Sequence, residues 1–199
     1  MVFLPTNVRV KQESPTDFLV MPSVPSDVAK MYTADESDLF RRYDSLSFIY
    51  TSLHSSTVCL WSAFGEIENA KTSKTSVNRI LQITNAREFI ERVSDTLEFP
   101  NKVASIFPPA TDIPDCINDT IGKLPTHLIQ ISEMRAAIER ADFNALTEAA
   151  CLSIGKTASR LEYPLPIIKL ALTKIKINLA EIAAQYALNA TYHNNNIVS

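Results

Sequence analysis

The sequence predicts an all-α protein, and three features of the 199-residue chain point to that class. Glycine occurs only three times, whereas a β-sandwich or barrel of this length needs many glycines for its turns. Apolar residues recur at alternating spacings of three and four, which is the period of one helix face. Prolines gather outside those periodic stretches. Narrow apolar faces on four or five long helices predict an elongated helical bundle.

The chain divides into three predicted segments. Residues 1–34 are rich in Pro, Ser, Thr and Val without a helical period, so we expect an extended arm. Residues 35–189 contain the periodic stretches and are predicted to form the helical-bundle domain. Residues 190–199 are polar and rich in Asn, which predicts a flexible C-terminal tail.

The first predicted helices lie in the first half of the bundle domain. One apolar face is spaced 4, 3, 4, 3 and consists of Leu39, Tyr43, Leu46, Tyr50 and Leu53. A second, shorter stretch places Trp61, Phe64 and Ile67 on one side of a helix. A third helix begins near Val77 and is predicted to end before Pro100, because proline cannot continue the hydrogen-bond ladder.

The second half contains the clearest periodicity. Apolar positions from Ile117 to Ile138 predict a helix over residues 118–138. Residues 139–163 are less regular and are predicted to connect two strong helices. The last helix has an apolar stripe spaced 3, 4, 3, 4, 3, 4, formed by Leu165, Ile168, Leu172, Ile175, Leu179, Ile182 and Tyr186. Pro164 and Pro166 fit its first turn, where backbone N–H groups lack acceptors.

Composition and motifs argue against several functional classes. The chain is 46% hydrophobic and 21% charged, as in globular proteins, and no apolar run reaches the length of a bilayer span. The three cysteines are far apart and favour reduced thiols in a cytosolic compartment. No histidine has a metal-binding neighbour at helical spacing, and no GxSxG or glycine-rich phosphate loop occurs. A Cys–His nucleophile pair stays open, but we predict no enzyme, no metal and no cofactor.

The basic residues are the most informative feature for function. The net charge of −3 means that any nucleic-acid site must be local. If the helices at 118–138 and 164–188 are antiparallel neighbours, one end of the bundle gathers a charged cluster of Glu133, Arg135, Arg160, Glu162 and Lys169. Arginines in such a cluster can bind phosphates with both arms of the guanidinium. The alternative is an ordinary ion pair between Glu133 and Lys169, with both arginines solvated.

The order of these residues resembles the coat proteins of the tobamovirus family. The stretch "NDTIGKLPTHLIQISEMRAAI" is similar to the family's right radial helix, and "NAREFIERVSD" to its right slewed helix. The stretch "SRLEYPLPIIKLALTKIKINLAEI" resembles the left radial helix. The similarity covers roughly residues 80–188. Before residue 80 two registers stay open: the helix at 36–53 is either an addition or the left slewed helix itself.

The resemblance implies an elongated four-helix bundle with an extra N-terminal arm or helix. It also implies that the bundle assembles into a helical rod and buries single-stranded RNA between the turns of that rod. It implies that Arg135 and Arg160 contact RNA phosphates, that Glu162 lies at the nucleotide, and that Arg87 faces the RNA. It also implies a buried ion pair between the helices, formed by Glu133 and Lys169, and a carboxylate at the subunit contact, Asp95.

Three positions depart from the family pattern. Ala137 stands where the family has a second arginine, and Gly122 stands where the carboxylate opposite Asp95 is expected. Lys169 replaces an arginine, and lysine lacks the forked guanidinium that can bind with two arms.

On the basis of the resemblance, the predicted function is a viral coat protein, found in the virion and the host cytoplasm. Its predicted partners are RNA and copies of itself, with no membrane contact. The alternative is a soluble helical adaptor without RNA.

Overall fold

The computed structural model describes the backbone of residues 34–104 and 113–197, and the side chains of residues 36–98, 100 and 113–189. All secondary structure in these ranges is α-helical, apart from short turns, so the all-α prediction is confirmed. The helices are α1 (Ala34–Thr72), α2 (Ser76–Ala104), α3 (Ile113–Ala136), α4 (Phe143–Glu162) and α5 (Leu165–Ile197). The predicted arm, residues 1–34, lies outside the described residues except for Ala34.

The chain separates into two compact units, Met1–Asp38 and Leu39–Ser199. The described part of the first unit is the beginning of α1. The second unit contains the hydrophobic core, to which all five helices contribute. Its largest fully buried side chains include Leu53 and Leu60 of α1, Ile90 of α2, Ile131 of α3 and Leu161 of α4.

The N-terminal half contains one helix fewer than the sequence predicts. One predicted apolar stretch ends at Leu53 and the next begins near Trp61, and both belong to a single helix, α1. The residues between them include Ser56 and Thr57, which are buried. The hydroxyl of Thr57 donates to the Leu53 carbonyl at 2.8 Å, so its polar group is satisfied inside the helix.

Helix α2 continues past Pro100 to Ala104, so the prediction that it ends before this proline is wrong. Proline removes one backbone donor, and at this position the loss falls in the last two turns of the helix. The ring of Pro100 is buried, which offsets part of that cost. Val77 and Leu81 at the other end of α2 are exposed.

Residues 139–163, whose apolar pattern is less regular, connect α3 and α5, and most of them form a helix of their own, α4. Its buried face is Phe143, Thr147, Ala150, Cys151, Ile154, Thr157, Ala158 and Leu161. Small and hydroxyl-bearing residues weaken the hydrophobic signal of this face. The hydroxyls of Thr147 and Thr157 donate to backbone carbonyls of their own helix, so they can be buried at little cost.

Helix α3 packs against both α2 and α4. The short turn at residues 137–142 reverses the chain, so α3 and α4 run antiparallel. Helix α5 follows α4 after two residues, and Leu165 and Ile168 in its first turns join the core. The backbone of residues 190–197 is helical and continues α5.

Candidate nucleic-acid interface

The predicted cluster of charged residues does not form at one end of the bundle. The Nε atom of Arg160 lies 3.4 Å from Oδ2 of Asp119, in the second turn of α3. Arg135 lies sixteen residues further along the same helix, and a rise of 1.5 Å per residue separates the two positions by about 24 Å. The cause is helix α4, which runs back along α3 and carries Arg160 to the opposite end.

Arg135 lies in the last turn of α3, and its side chain is exposed. A positive charge at this position is favoured by the partial negative charge of the helix C-terminus. It forms no ion pair with any residue whose side chain the structure describes. Arg135 is therefore the predicted RNA contact that stays accessible for an anion.

The other predicted contacts have partners within the chain. Nε of Arg87 lies 2.8 Å from Oε1 of Glu91, one turn further along α2. Oε2 of Glu162 accepts a hydrogen bond from the indole Nε1 of Trp61 at 3.3 Å. All of these side chains are exposed, and exposed pairs exchange partners at small cost.

The predicted buried ion pair between Glu133 and Lys169 is not present. Both side chains are exposed, and neither forms an ion pair with a described residue. The reason is again α4, which occupies the position beside α3 that the prediction assigned to α5. Asp95 is exposed on α2, and Gly122 is exposed on α3, so the subunit-contact role of Asp95 stays a prediction.

One end of the bundle contains the α1–α2 turn at residues 73–75 and the α3–α4 turn at residues 137–142. Arg79 connects them: Nη1 donates to the Ile138 carbonyl at 3.1 Å, and Nε donates to the Ser73 carbonyl at 3.1 Å. The Ser76 hydroxyl also donates to Glu139. The Arg79 guanidinium lies 5.0 Å from the centre of the Phe143 ring. We call this end, which includes Arg135, the turn end.

The turn end presents further cations. Lys74 is exposed, and Arg140 is exposed and forms a two-armed contact with Asp142, with both N–O distances 3.1 Å. Carboxylates of Glu133, Glu139 and Asp142 lie on the same elements, so the local charge is nearly balanced. The sequence did not single out Lys74, Arg79 or Arg140, since only the folded chain brings the two turns together.

A buried histidine is the main polar group that sequence analysis missed. His127 is completely buried between α3 and α4. The Thr157 hydroxyl lies 3.0 Å from its Nε2 atom and donates its own proton to the Ser153 carbonyl. The Ser153 hydroxyl and the Oε1 atom of Gln130 each lie 3.4 Å from Nδ1, so both ring nitrogens have polar partners and either neutral tautomer can be satisfied. Burial lowers the pKa of His127 below its ordinary value. Its position on the apolar stripe between Leu124 and Ile131 was the available sequence signal.

The cysteines are free thiols, and two of them are buried. Burial raises the pKa of Cys151 to about 12, and burial also raises the pKa of Cys59. Both thiols are therefore protonated at neutral pH and weakly nucleophilic. The described part of the chain contains no group of three or more His, Cys, Asp or Glu side chains arranged to hold a metal ion. No helix within that part is long and apolar enough to cross a membrane.

The chain matches no protein-family model, no curated protein and no solved structure. The similarity to tobamovirus coat proteins rests on the sequence motifs alone. The position of α4 beside α3 is a difference from the arrangement that those motifs imply.

Proposed function

We propose that this chain is a rod-forming coat protein that assembles into a helical rod or filament and encloses single-stranded RNA through phosphate contacts. In this proposal residues 35–189 form the helical-bundle coat domain, residues 1–34 form an arm, and the protein belongs to the virion and the host cytoplasm. Its role is structural and not catalytic.

The main support for self-assembly is that many large apolar side chains are exposed on the helices. They are Phe48, Val58, Trp61, Val77, Ile80, Leu81, Ile129, Leu152, Tyr163, Ile167, Leu170, Ile177 and Leu188. Single exposed apolar residues are ordinary, but groups of them mark surfaces that bind other proteins. A subunit of a rod needs several such surfaces, because each copy contacts more than one neighbour.

We assign RNA binding to the turn end, with Arg135 as the main contact and Lys74 as a second cation in the α1–α2 turn. The chain as a whole is negative, so one subunit would hold RNA weakly. Repetition along the polymer supplies the affinity, because each bound subunit holds the next stretch of RNA near its neighbour. Phosphate contacts carry no sequence information, so a protein that binds RNA in this way needs no side chain that reads the bases.

The first experiment tests the whole proposal. The purified full chain, with and without single-stranded RNA, is imaged by negative stain, sedimented and treated with ribonuclease. The coat protein should form rods, discs or filaments and should protect the RNA. Particles that stay small in every buffer and leave the RNA degraded would reject it and favour a helical adaptor, whose exposed apolar residues bind a different protein.

A second experiment locates the RNA. We expect Arg135→Ala to reduce RNA protection severalfold while rods still form, since its exposed side chain contributes nothing to the core. Lys156→Ala is the matched control, because Lys156 is an exposed cation on α4, away from the turn end. Loss of protection in Arg160→Ala but not in Arg135→Ala would place the RNA at the opposite end of the bundle.

A further inference from the structure

Helix α5 is apolar on two opposite sides. The inward side contains the buried residues Leu165, Ile168 and Leu179. At 100° per residue, Leu170 and Ile177 point to the other side, and they are 57% and 53% exposed. The small residues Thr173, Ala180 and Ala184 continue that outward stripe at spacings of three and four. When polar residues are confined to two narrow strips of a helix, the pattern is typical of a helix that packs against a neighbour on each of two opposite faces.

The outward stripe has the seven-residue repeat of a two-helix contact. Leu170, Ile177 and Ala184 occupy one core position of the repeat, and Thr173, Ala180 and Ala187 occupy the other. We propose that this stripe binds the same stripe of a second copy of the chain, with the two α5 helices antiparallel. The inference rests on the proposed self-assembly and specifies one of its contacts.

One antiparallel register pairs each large residue with a small one. Ile177 then lies opposite Ala180 of the second copy, Leu170 opposite Ala187, and Thr173 opposite Ala184. Alternation of large and small side chains fills the space between two helices evenly. A parallel pair would instead stack Leu170 on itself and Ala184 on itself, which leaves uneven packing along the contact.

The same register accounts for the residues that flank the stripe. Ile167 and Leu188, which are 56% and 60% exposed, face each other across the pair and are covered. Lys174 faces Glu181 of the second copy, and the two-fold symmetry forms this pair twice. Within one chain these two residues are seven positions apart, too far for the contact that neighbours three or four apart can make. Neither forms an ion pair with a described residue.

A parallel pair would treat these charges differently. The flanking rule of parallel helices brings Lys176 near Glu181 of the partner, but it also brings Lys169 near Lys174, which is repulsive, and it leaves Ile167 uncovered. The antiparallel register has its attractive pairs without a repulsive one. Charge complementarity therefore selects the antiparallel arrangement with a second copy as the occupant. Because a two-fold contact closes on itself, a filament also needs a different contact elsewhere on the bundle.

A charge exchange tests the contact in the full chain. Lys174→Glu and Glu181→Lys each convert both ion pairs into repulsive pairs, whereas the double variant restores both pairs with the charges exchanged. We expect each single change to raise the dimer dissociation constant by about tenfold or more at low ionic strength, and the double change to recover most of the loss. Analytical ultracentrifugation measures the constants, and thermal melts followed by circular dichroism confirm that every variant is folded.

Lys176→Glu is the matched control. It makes the same change of charge on the same helix, but in the proposed register Lys176 faces Ala183, so we expect a much smaller effect. Equal weakening by Lys176→Glu and Lys174→Glu, or failure of the double variant to recover, overturns the proposed register. A wild-type chain that is monomeric at all concentrations overturns the contact itself.

The outcomes separate this contact from the coat function. Rods that protect RNA and are unaffected by the single exchanges would overturn the α5 contact and leave the coat function standing. A dimer that responds to the exchanges as expected, in a protein that forms no rods and protects no RNA, would support the contact and reject the coat function.

Discussion

At the scale of single residues, chain reversals decide which side chains meet. Glu133 is exposed on α3 and has no ion-pair partner among the described side chains, although the sequence motif implies a buried pair with Lys169. His127 is buried where the motif implies nothing, and three polar groups of α3 and α4 surround its ring. Both differences follow from α4 lying beside α3.

We expect Glu133→Ala to change the free energy of unfolding by no more than about 0.5 kcal/mol, because an exposed side chain without a partner contributes little. Urea denaturation of the wild type and the variant measures this. A loss of several kcal/mol would mean that Glu133 is buried against a partner in solution, as the resemblance to the coat-protein family implies.

The buried His127 predicts a stability that depends on pH. Its pKa is lowered in the folded chain, so the unfolded chain binds the proton more readily. Stability is therefore present above the ordinary pKa of about 6.5 and decreases as the pH falls below it, by at most about 1.4 kcal/mol per pH unit. Denaturation curves between pH 7.5 and 5 should show this decrease. His127→Gln should flatten it, whereas the exposed control His54→Gln should not.

At the scale of elements, the arrangement of the two helix pairs, α1–α2 and α3–α4, depends on contacts between their turns. Arg79 bonds to one carbonyl in each of two turns and lies over the Phe143 ring, so a single half-buried side chain links α1–α2 to α3–α4. The period of the apolar residues predicts the helices themselves. The pairing of the turns depends on contacts between residues almost sixty positions apart.

We expect Arg79→Ala to destabilise the chain by about 2 kcal/mol, since two carbonyls lose a charged donor and the ring loses its cation. Arg79→Lys should recover only part, because lysine lacks the fork that reaches both carbonyls. Chemical denaturation compares these variants with Arg87→Ala, which removes an exposed pair within one helix and should cost less than about 0.5 kcal/mol. Equal effects at the two positions would contradict the linking role of Arg79.

At the scale of the whole molecule, the exposed apolar side chains and the low net charge both favour association. Removal of apolar surface from water is driven by entropy near room temperature. Local cations at the turn end would then attach RNA to an assembly that the apolar contacts hold together. The two interactions should respond differently to temperature and salt.

We expect assembly to increase when the protein is warmed from about 5 to 30 °C, and to persist at high salt, because apolar contacts strengthen with temperature in this range. RNA protection should instead fall steeply as salt rises, since phosphate contacts release counterions. Sedimentation and ribonuclease protection measure the two responses separately. Assemblies that dissolve on warming, or RNA protection that is insensitive to salt, would contradict this division.

The amino-acid sequence alone predicts the helical class, the positions of most helices and the inward stripe at the beginning of α5. These features follow from local periodicity and from the absence of turn glycines, and neither depends on distant contacts. The apolar pattern predicts two features less clearly: the continuity of α1 and the presence of α4. In both helices, hydroxyl-bearing and small residues occupy part of the inward face. Tertiary structure decided which charges meet. Arg135 and Arg160 lie at opposite ends because α4 reverses direction along α3, and no local pattern specifies which helix packs beside which.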